Sequence, residues 1–368
     1  MCEKAQSATS SSPVAPETAT FGRGPELARL GAWLDGGERL VTVMGGGGIG
    51  KTRLASELAR ARRGGAEVVF VALGEARDAL DAMSAVAREL DAGIGGAGLE
   101  QLGRGVGRAL RARGPLLLVL DGLERVVAPL APFIDGWLDV APDAQLLVTS
   151  RERLLVPGER VLIVPPLAVG ADARGPAVAL FRARAATAGA EVAAWDDAEQ
   201  RALVELVSRL DGLPLAIELA AARAASAPPS RLLVELERRF EVLGPAAGDA
   251  RAPGMEEVLE ASWAPLPADA KDALARLSVL ASPFDLEAAA AVLGRDELAA
   301  LDLDALLRRR SLVVAGRAPG DLQLLETVRD FARARAGAAG LDVEDDAVRR
   351  RDDWVLGGPR RSRRAARA

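Results

Sequence analysis

The stretch Leu40-Val41-Thr42-Val43-Met44-Gly45-Gly46-Gly47-Gly48-Ile49-Gly50-Lys51-Thr52 decides the fold. Its first five residues, apolar but for Thr42, read as a buried strand, and Leu54, Leu58 and Ala61 give the following segment one apolar helical face. The glycines between fit G-x-x-x-x-G-K-[ST], in the strand–loop–helix context that gives the motif its meaning. Glycine tolerates positive φ, so successive N–H groups can turn into one concavity. The helix N-terminus adds partial positive charge there. A compact ammonium at Lys51 suits β- and γ-phosphates, and the Thr52 hydroxyl suits Mg²⁺. We therefore expect Gly45, Gly46, Gly47, Gly48, Ile49, Gly50, Lys51, Thr52 and Arg53 to hold a nucleotide.

Working outward, apolar strands alternate with amphipathic helices. Strands are expected at Leu40–Met44, Val68–Leu73, Leu116–Leu120, Leu146–Thr149 and Val161–Val164, and helices at Lys51–Arg62, Ala79–Leu90, Leu99–Arg111 and Leu123–Leu138. Near-continuous Val/Leu strands separated by helices predict a parallel sheet covered on both faces. Asp121 follows one of these strands, where its carboxylate can hold Mg²⁺ through water. Metal ligation is thus expected of Thr52 and Asp121. The next residue is Gly122, where many hydrolysing proteins of this class place an acid. Glu124 is the nearest substitute, and a helix starting at Leu123 is expected to point it elsewhere, so hydrolysis is expected to be slow.

Composition narrows the function. The 368 residues contain no His and a single Cys, which removes imidazole bases, Ser-His-Asp nucleophiles, thiolate metal cages and internal disulfides. Tyr is absent and aromatics are 3%, so base-stacking platforms are not expected. The net charge of -5 does not suit a general polyanion binder. No segment has the apolar length of a membrane span, and the N-terminus has no leader pattern, so a cytoplasmic location is expected. Lysine occurs only at Lys4, Lys51 and Lys271 among 47 basic residues. A lysine kept at position 51 in so arginine-rich a chain points to a specific role.

Five segments are expected: a disordered tail over 1–20, a P-loop domain over 21–168, an all-helical domain over 169–250, a domain of helices with a two-stranded wing over 251–337, and an Arg-rich tail over 338–368. In the helical domain Asp196 and Glu199 form an expected capping box. Asp211-Gly212 stops that helix and Pro214 starts the next. Short strands at Leu312–Val314 and Leu322–Leu324 precede a helix that carries Val328, Phe331, Ala332 and Ala336 on one face.

Four further motifs resemble the NB-ARC core of the STAND class of signal-transduction ATPases, and in particular its bacterial transcriptional-regulator members. Phe21-Gly22-Arg23 resembles the motif whose backbone lies along the adenine. Leu147-Val148-Thr149-Ser150-Arg151 is similar to the sensor strand, which in the family lies beside the phosphate-loop strand and lets the Arg reach the γ-phosphate. Gly212-Leu213-Pro214-Leu215-Ala216 resembles the GLPLA motif, whose Pro packs on adenine. Leu325-Glu326-Thr327-Val328-Arg329-Asp330-Phe331-Ala332 resembles the start of the last winged-helix helix. Eukaryotic members often carry Met-His-Asp where this chain has Leu324-Leu325-Glu326, so the family's His contact to ADP has no counterpart at Leu325.

This resemblance implies an α/β P-loop NTPase followed by a helical and a winged-helix domain, binding ATP or ADP with Mg²⁺. It implies an ATP/ADP switch with slow or no hydrolysis, with Lys51, Asp121 and Arg151 acting on the phosphates. In the ATP state it implies self-association or a protein partner. No membrane contact and no direct nucleic-acid contact are expected. Two other readings stay open at this stage: a DNA-binding regulator that uses the winged helix, and an ordinary P-loop ATPase. The family usually adds sensor repeats and an effector domain, so a minimal core or one part of a larger system is expected.

Overall fold

The computed structural model describes residues 20–63, 65, 67–93, 98–170, 174–236, 243–244, 254–310, 312–316, 320–338 and 343–357. All but the last residue of the expected N-terminal tail, and the five arginines within 360–368, lie outside them. The chain divides into two compact units, residues 1–45 with 50–164, and residues 46–49 with 165–368.

The first unit runs α1 (Gly24–Asp35), β1 (Leu40–Met44), α2 (Lys51–Arg62), β2 (Glu67–Ala72), α3 (Ala79–Glu89), α4 (Leu99–Arg113), β3 (Leu116–Asp121), α5 (Val127–Val140), β4 (Ala144–Ser150) and β5 (Glu159–Ile163). The strands form one sheet in the order β2-β3-β4-β1-β5, every pair parallel. Strand pleating sends alternate residues to opposite faces. Leu116, Leu118 and Leu120 join the core built with α3, α4 and α5. Leu117 and Val119, equally buried, fall outside that core, and α2 packs on the sheet. The near-continuous apolar runs are thus explained by burial on both faces.

Two expectations here need correction. Helix α1 was not among the expected helices. Proline is tolerated in a first helical turn, and Leu30 and Leu34 supply the buried face. The segment after Asp121 is also not one helix from Leu123. Gly122 adopts φ 83, a short 3₁₀ turn covers Leu123–Arg125, and α5 begins only at Val127.

The second unit continues with α6 (Pro176–Thr187), α7 (Asp197–Arg209), α8 (Pro214–Ala221), α9 (Pro229–Glu235), α10 (Met255–Trp263), α11 (Ala268–Leu277), α12 (Leu286–Leu293), α13 (Glu297–Arg309), β6 (Val314–Ala315), β7 (Leu322–Gln323), α14 (Glu326–Ala338) and α15 (Val343–Gly357). Asp196 caps α7 through the N–H groups of Ala198 and Glu199. Glu199 was expected to close a capping box. Its carboxylate instead accepts from the N–H of Ser230 at 2.9 Å, tying α7 to the start of α9. Strands β6 and β7 are an antiparallel pair, starting two residues later than expected on the first side.

Asp211 and Gly212 both have positive φ, 56° and 64°. That turn aims the Asp211 carboxylate at the N-terminus of α14, where it accepts from the N–H of Glu326, the N–H of Thr327 and the Thr327 hydroxyl, each at 2.9 Å. Thr327 is fully buried. Losing a helix cap and stranding its donors costs about 2 kcal/mol. Asp211→Ala is therefore expected to lower the unfolding free energy by about that amount in urea titration. Asp211→Asn, which keeps one acceptor and tolerates this backbone, should cost less. Equal stability of all three proteins would refute the cap.

Within the segment expected as an Arg-rich tail, residues 343–357 form helix α15. It packs on α11 and α12, buries Ala347 completely and receives Arg276 on Asp346 at 2.6 Å. Its mixed acid and base runs hid Ala347, the side chain that is buried there.

Candidate nucleotide-binding site

The sheet order places the chemistry. Met44, the last residue of β1, pairs in register with Ser150, the last of β4, and the Gly45 N–H donates to the Ser150 carbonyl at 3.3 Å. Arg151 therefore leaves β4 beside the start of the glycine loop. On the other side of β4, the Thr149 hydroxyl donates to the Asp121 carboxylate at 2.6 Å and accepts the Gly122 N–H at 2.8 Å. Strands β1, β4 and β3 thus deliver Lys51, Arg151 and Asp121 to one sheet edge.

Within the loop, Gly48 and Gly50 have φ of 73° and 95°, a region that L side chains rarely enter. Gly50 is the cap residue of α2, so Lys51 and Thr52 begin the helix. The Lys51 side chain is 7% exposed, and its ammonium donates to the Gly45 carbonyl at 2.9 Å. Burial, the largest influence, lowers the Lys51 pKa. The Glu124 carboxylate opposes that shift and Arg151 adds to it.

Glu124 does not point elsewhere. It lies 3.5 Å from the Lys51 ammonium and 3.9 Å from the Arg151 guanidinium. The cause is the left-handed turn at Gly122. A Cβ there would come within 2.8 Å of the Gly74 backbone, so only glycine lets the chain double back and bring Glu124 over the strand ends. Glu124 is the functional candidate whose direction the sequence did not reveal.

Burial raises the Asp121 pKa, while hydrogen bonds from the Thr149 and Thr52 hydroxyls hold it down. The folded carboxyl therefore retains its proton to higher pH than the unfolded one. In the window above the ordinary aspartate value the native state binds more protons, and stability falls as pH rises through it. Asp121→Asn is accordingly expected to melt at a higher temperature than the parent at neutral pH without nucleotide. Its melting temperature should also change less between about pH 4 and 7. Melts in a metal chelator test this; a variant less stable at every pH would contradict it.

The other candidates are spread more widely. Arg53 is half-buried in the first turn of α2. Phe21, Gly22 and Arg23 precede α1. Arg23 is buried against Glu26 at 3.4 Å, and the neighbouring Thr20 hydroxyl donates to Glu57 of α2 at 3.0 Å. Pro214 lies in the first turn of α8, in the second unit.

The site's donor set fits a nucleotide with its metal: a loop at a helix N-terminus with a desolvated ammonium, then a hydroxyl and a carboxylate joined by a hydrogen bond. With the parallel sheet, it defines a P-loop ATPase domain. Residues 34–148 match the family described as AAA domain. "Uncharacterized protein Rv0894" of Mycobacterium tuberculosis is 34% identical over 349 residues, covering 90% of this chain and 84% of that protein. The chain belongs to the same family as Rv0894. "Putative HTH-type transcriptional regulator Rv0890c" of the same species is also 34% identical, over 329 residues and 86% of this chain. The chain spans only 35% of the length of Rv0890c. Among solved structures, the Walker-type ATPase paby2304 of Pyrococcus abyssi is similar with a TM-score of 0.54 and 15% identity, over 85% of this chain and 96% of that one. That likeness concerns the fold. No helix among the described residues is long and apolar enough to cross a membrane.

Proposed function

We propose that the chain is an ATP/ADP-gated switch of the STAND signalling type, with slow hydrolysis, serving a regulatory system. The observation that carries this reading is the convergence of Lys51 and Arg151 on the Glu124 carboxylate. Two cations held about one acid form a place that a γ-phosphate suits and that ADP would leave unfilled. Bound Mg²⁺ would supply charge neutralisation across the phosphates. Of the chain's own residues, Lys51 and the loop N–H groups hold the phosphates, Thr52 and Asp121 hold the metal, and Arg151 reads the third phosphate. Glu124 is assigned as the acid that could accept a proton from water, and its engagement with two cations disfavours that role, in keeping with slow turnover. Phe21, Gly22, Arg23 and Pro214 are assigned to the adenine side.

Helices α10 to α13, the β6–β7 pair and α14 follow the order of a winged helix, and we read residues 251–337 as one. Duplex binding through it draws less support, because Arg308 is held by Asp304 at 2.8 Å. The name of Rv0890c supports a regulatory setting. Moving a two-state protein from 1:99 to 99:1 takes about 5.5 kcal/mol of differential affinity, and Arg151 is the residue assigned to supply part of it. Sedimentation velocity with Mg-ATP against Mg-ADP tests the switch. A nucleotide-dependent change in association or shape is expected, and Arg151→Ala should abolish it while retaining ADP binding. Identical sedimentation in both nucleotides, each shown to be bound, would overturn the switch.

A further inference from the structure

Helices α4 and α5 enclose a groove of about 370 Å³ on the first unit, away from the phosphate loop in sequence and built from different elements. Its floor is apolar. Trp137 is buried and fixed by its indole N–H, which donates to the Gly103 carbonyl at 2.8 Å, and Phe133 lies half-buried beside it. Small residues keep the groove open. A Cβ on Gly103 would meet the Phe133 ring at 2.3 Å, and one on Gly107 would meet Val140 at 3.0 Å. Val140, at the groove's end, is 42% exposed.

The rim carries three bases and one acid. Arg104, Arg108 and Arg111 recur at i, i+4 and i+7, which sets them in one line along α4. All three are exposed, and none has an acidic partner among the described residues. That separates them from Arg113 on the same helix, which pairs with Glu67 at 2.7 Å and Asp91 at 3.2 Å. One acid, Glu100, lines the groove. A row of three arginines without acidic partners stands above an aromatic floor, so the groove offers positive charge around an apolar slot.

We propose that this groove docks an acidic amphipathic helix from a protein partner. One or two large apolar side chains, spaced i and i+4, enter the slot over Phe133 and Trp137. Glu or Asp residues flanking them pair with Arg104, Arg108 and Arg111. This is the helix-in-groove mode, with charge selecting the partner and apolar anchors giving affinity. The proposal does not depend on nucleotide binding.

Gly136 gives a clean test. It lines the groove, and a Cβ there meets nothing within 4 Å. Gly136→Leu therefore places its Cβ in open space and adds an apolar side chain to the groove lining, and replacing glycine inside α5 favours the helix. A phage-displayed library of peptides about 15–18 residues long, enough to hold a helix, is selected on the purified full chain. Binders are then measured by fluorescence anisotropy. Enriched peptides are expected to be acidic and amphipathic, to bind Gly136→Leu at least about tenfold more weakly, and to bind Arg104→Glu/Arg108→Glu/Arg111→Glu about tenfold more weakly. Both variants should keep the parent's melting temperature within a few degrees. No enrichment, enrichment of neutral or basic peptides, undiminished binding to Gly136→Leu, or equal competition by a short DNA duplex would each overturn the proposal.

Discussion

Lys51→Ala is expected to abolish stabilisation by adenine nucleotide while leaving the free protein folded. Ligand at about 100 times its Kd adds ~2.7 kcal/mol to the folded state. For a unit of this size that is roughly 5–10 °C in melting temperature. The variant should show no such rise at any accessible Mg-ATP or Mg-ADP concentration. The free protein should tolerate the change because the fold already disfavours the Lys51 ammonium: burial is the main influence on its pKa. The folded state holds the Lys51 proton less firmly than the unfolded state, so the parent gains stability as pH rises toward the ordinary lysine value. Lys51→Met, of similar length, should lose that alkaline gain along with nucleotide binding. Differential scanning fluorimetry with and without nucleotide measures both effects. A full nucleotide shift in Lys51→Ala would remove the ammonium from the account.

The largest stability effect is expected at Gly212→Ala. Gly212 has φ 64°, and its missing Cβ would lie 2.2 Å from the Leu167 carbonyl oxygen. The same two residues are already joined, since the Leu167 N–H donates to the Gly212 carbonyl at 2.9 Å. A methyl group therefore forces two backbones apart and breaks a buried hydrogen bond, on top of the conformational cost. Together these come to roughly 3 kcal/mol or more, or about 10 °C for the second unit. Gly189→Ala is the control: φ is 95°, but a Cβ there meets open space. It should cost about 1 kcal/mol. Equal losses at the two positions would show that the close approach to Leu167 does not matter.

These glycines show what a sequence can and cannot disclose. The phosphate loop was legible because its chemistry is local: glycines, one ammonium and one hydroxyl in adjacent positions, bounded by a strand and a helix. The buried strands were legible as apolar runs, and Asp121 as the residue that ends one. Glu124 was not, because its direction depends on the Gly122 turn, which depends in turn on how closely the Gly74 backbone approaches. The cap from Asp211 to α14 joins residues more than a hundred positions apart, and no spacing rule reports it. Helix α15 was hidden by its own charges, one of which, Asp346, pairs with Arg276 of α11 in the fold. Two α4 glycines gain a reason only from the fold: the Phe133 ring crowds Gly103, and Val140 with Trp137 crowds Gly107.

Titration calorimetry of Mg-ADP and Mg-ATP into nucleotide-stripped protein, shown to be folded by circular dichroism, tests the central claim most directly. The account predicts saturable one-to-one binding of both nucleotides, with a larger enthalpy for ATP that Arg151→Ala reduces to the ADP value. A folded protein that gave no heat with either nucleotide would contradict it.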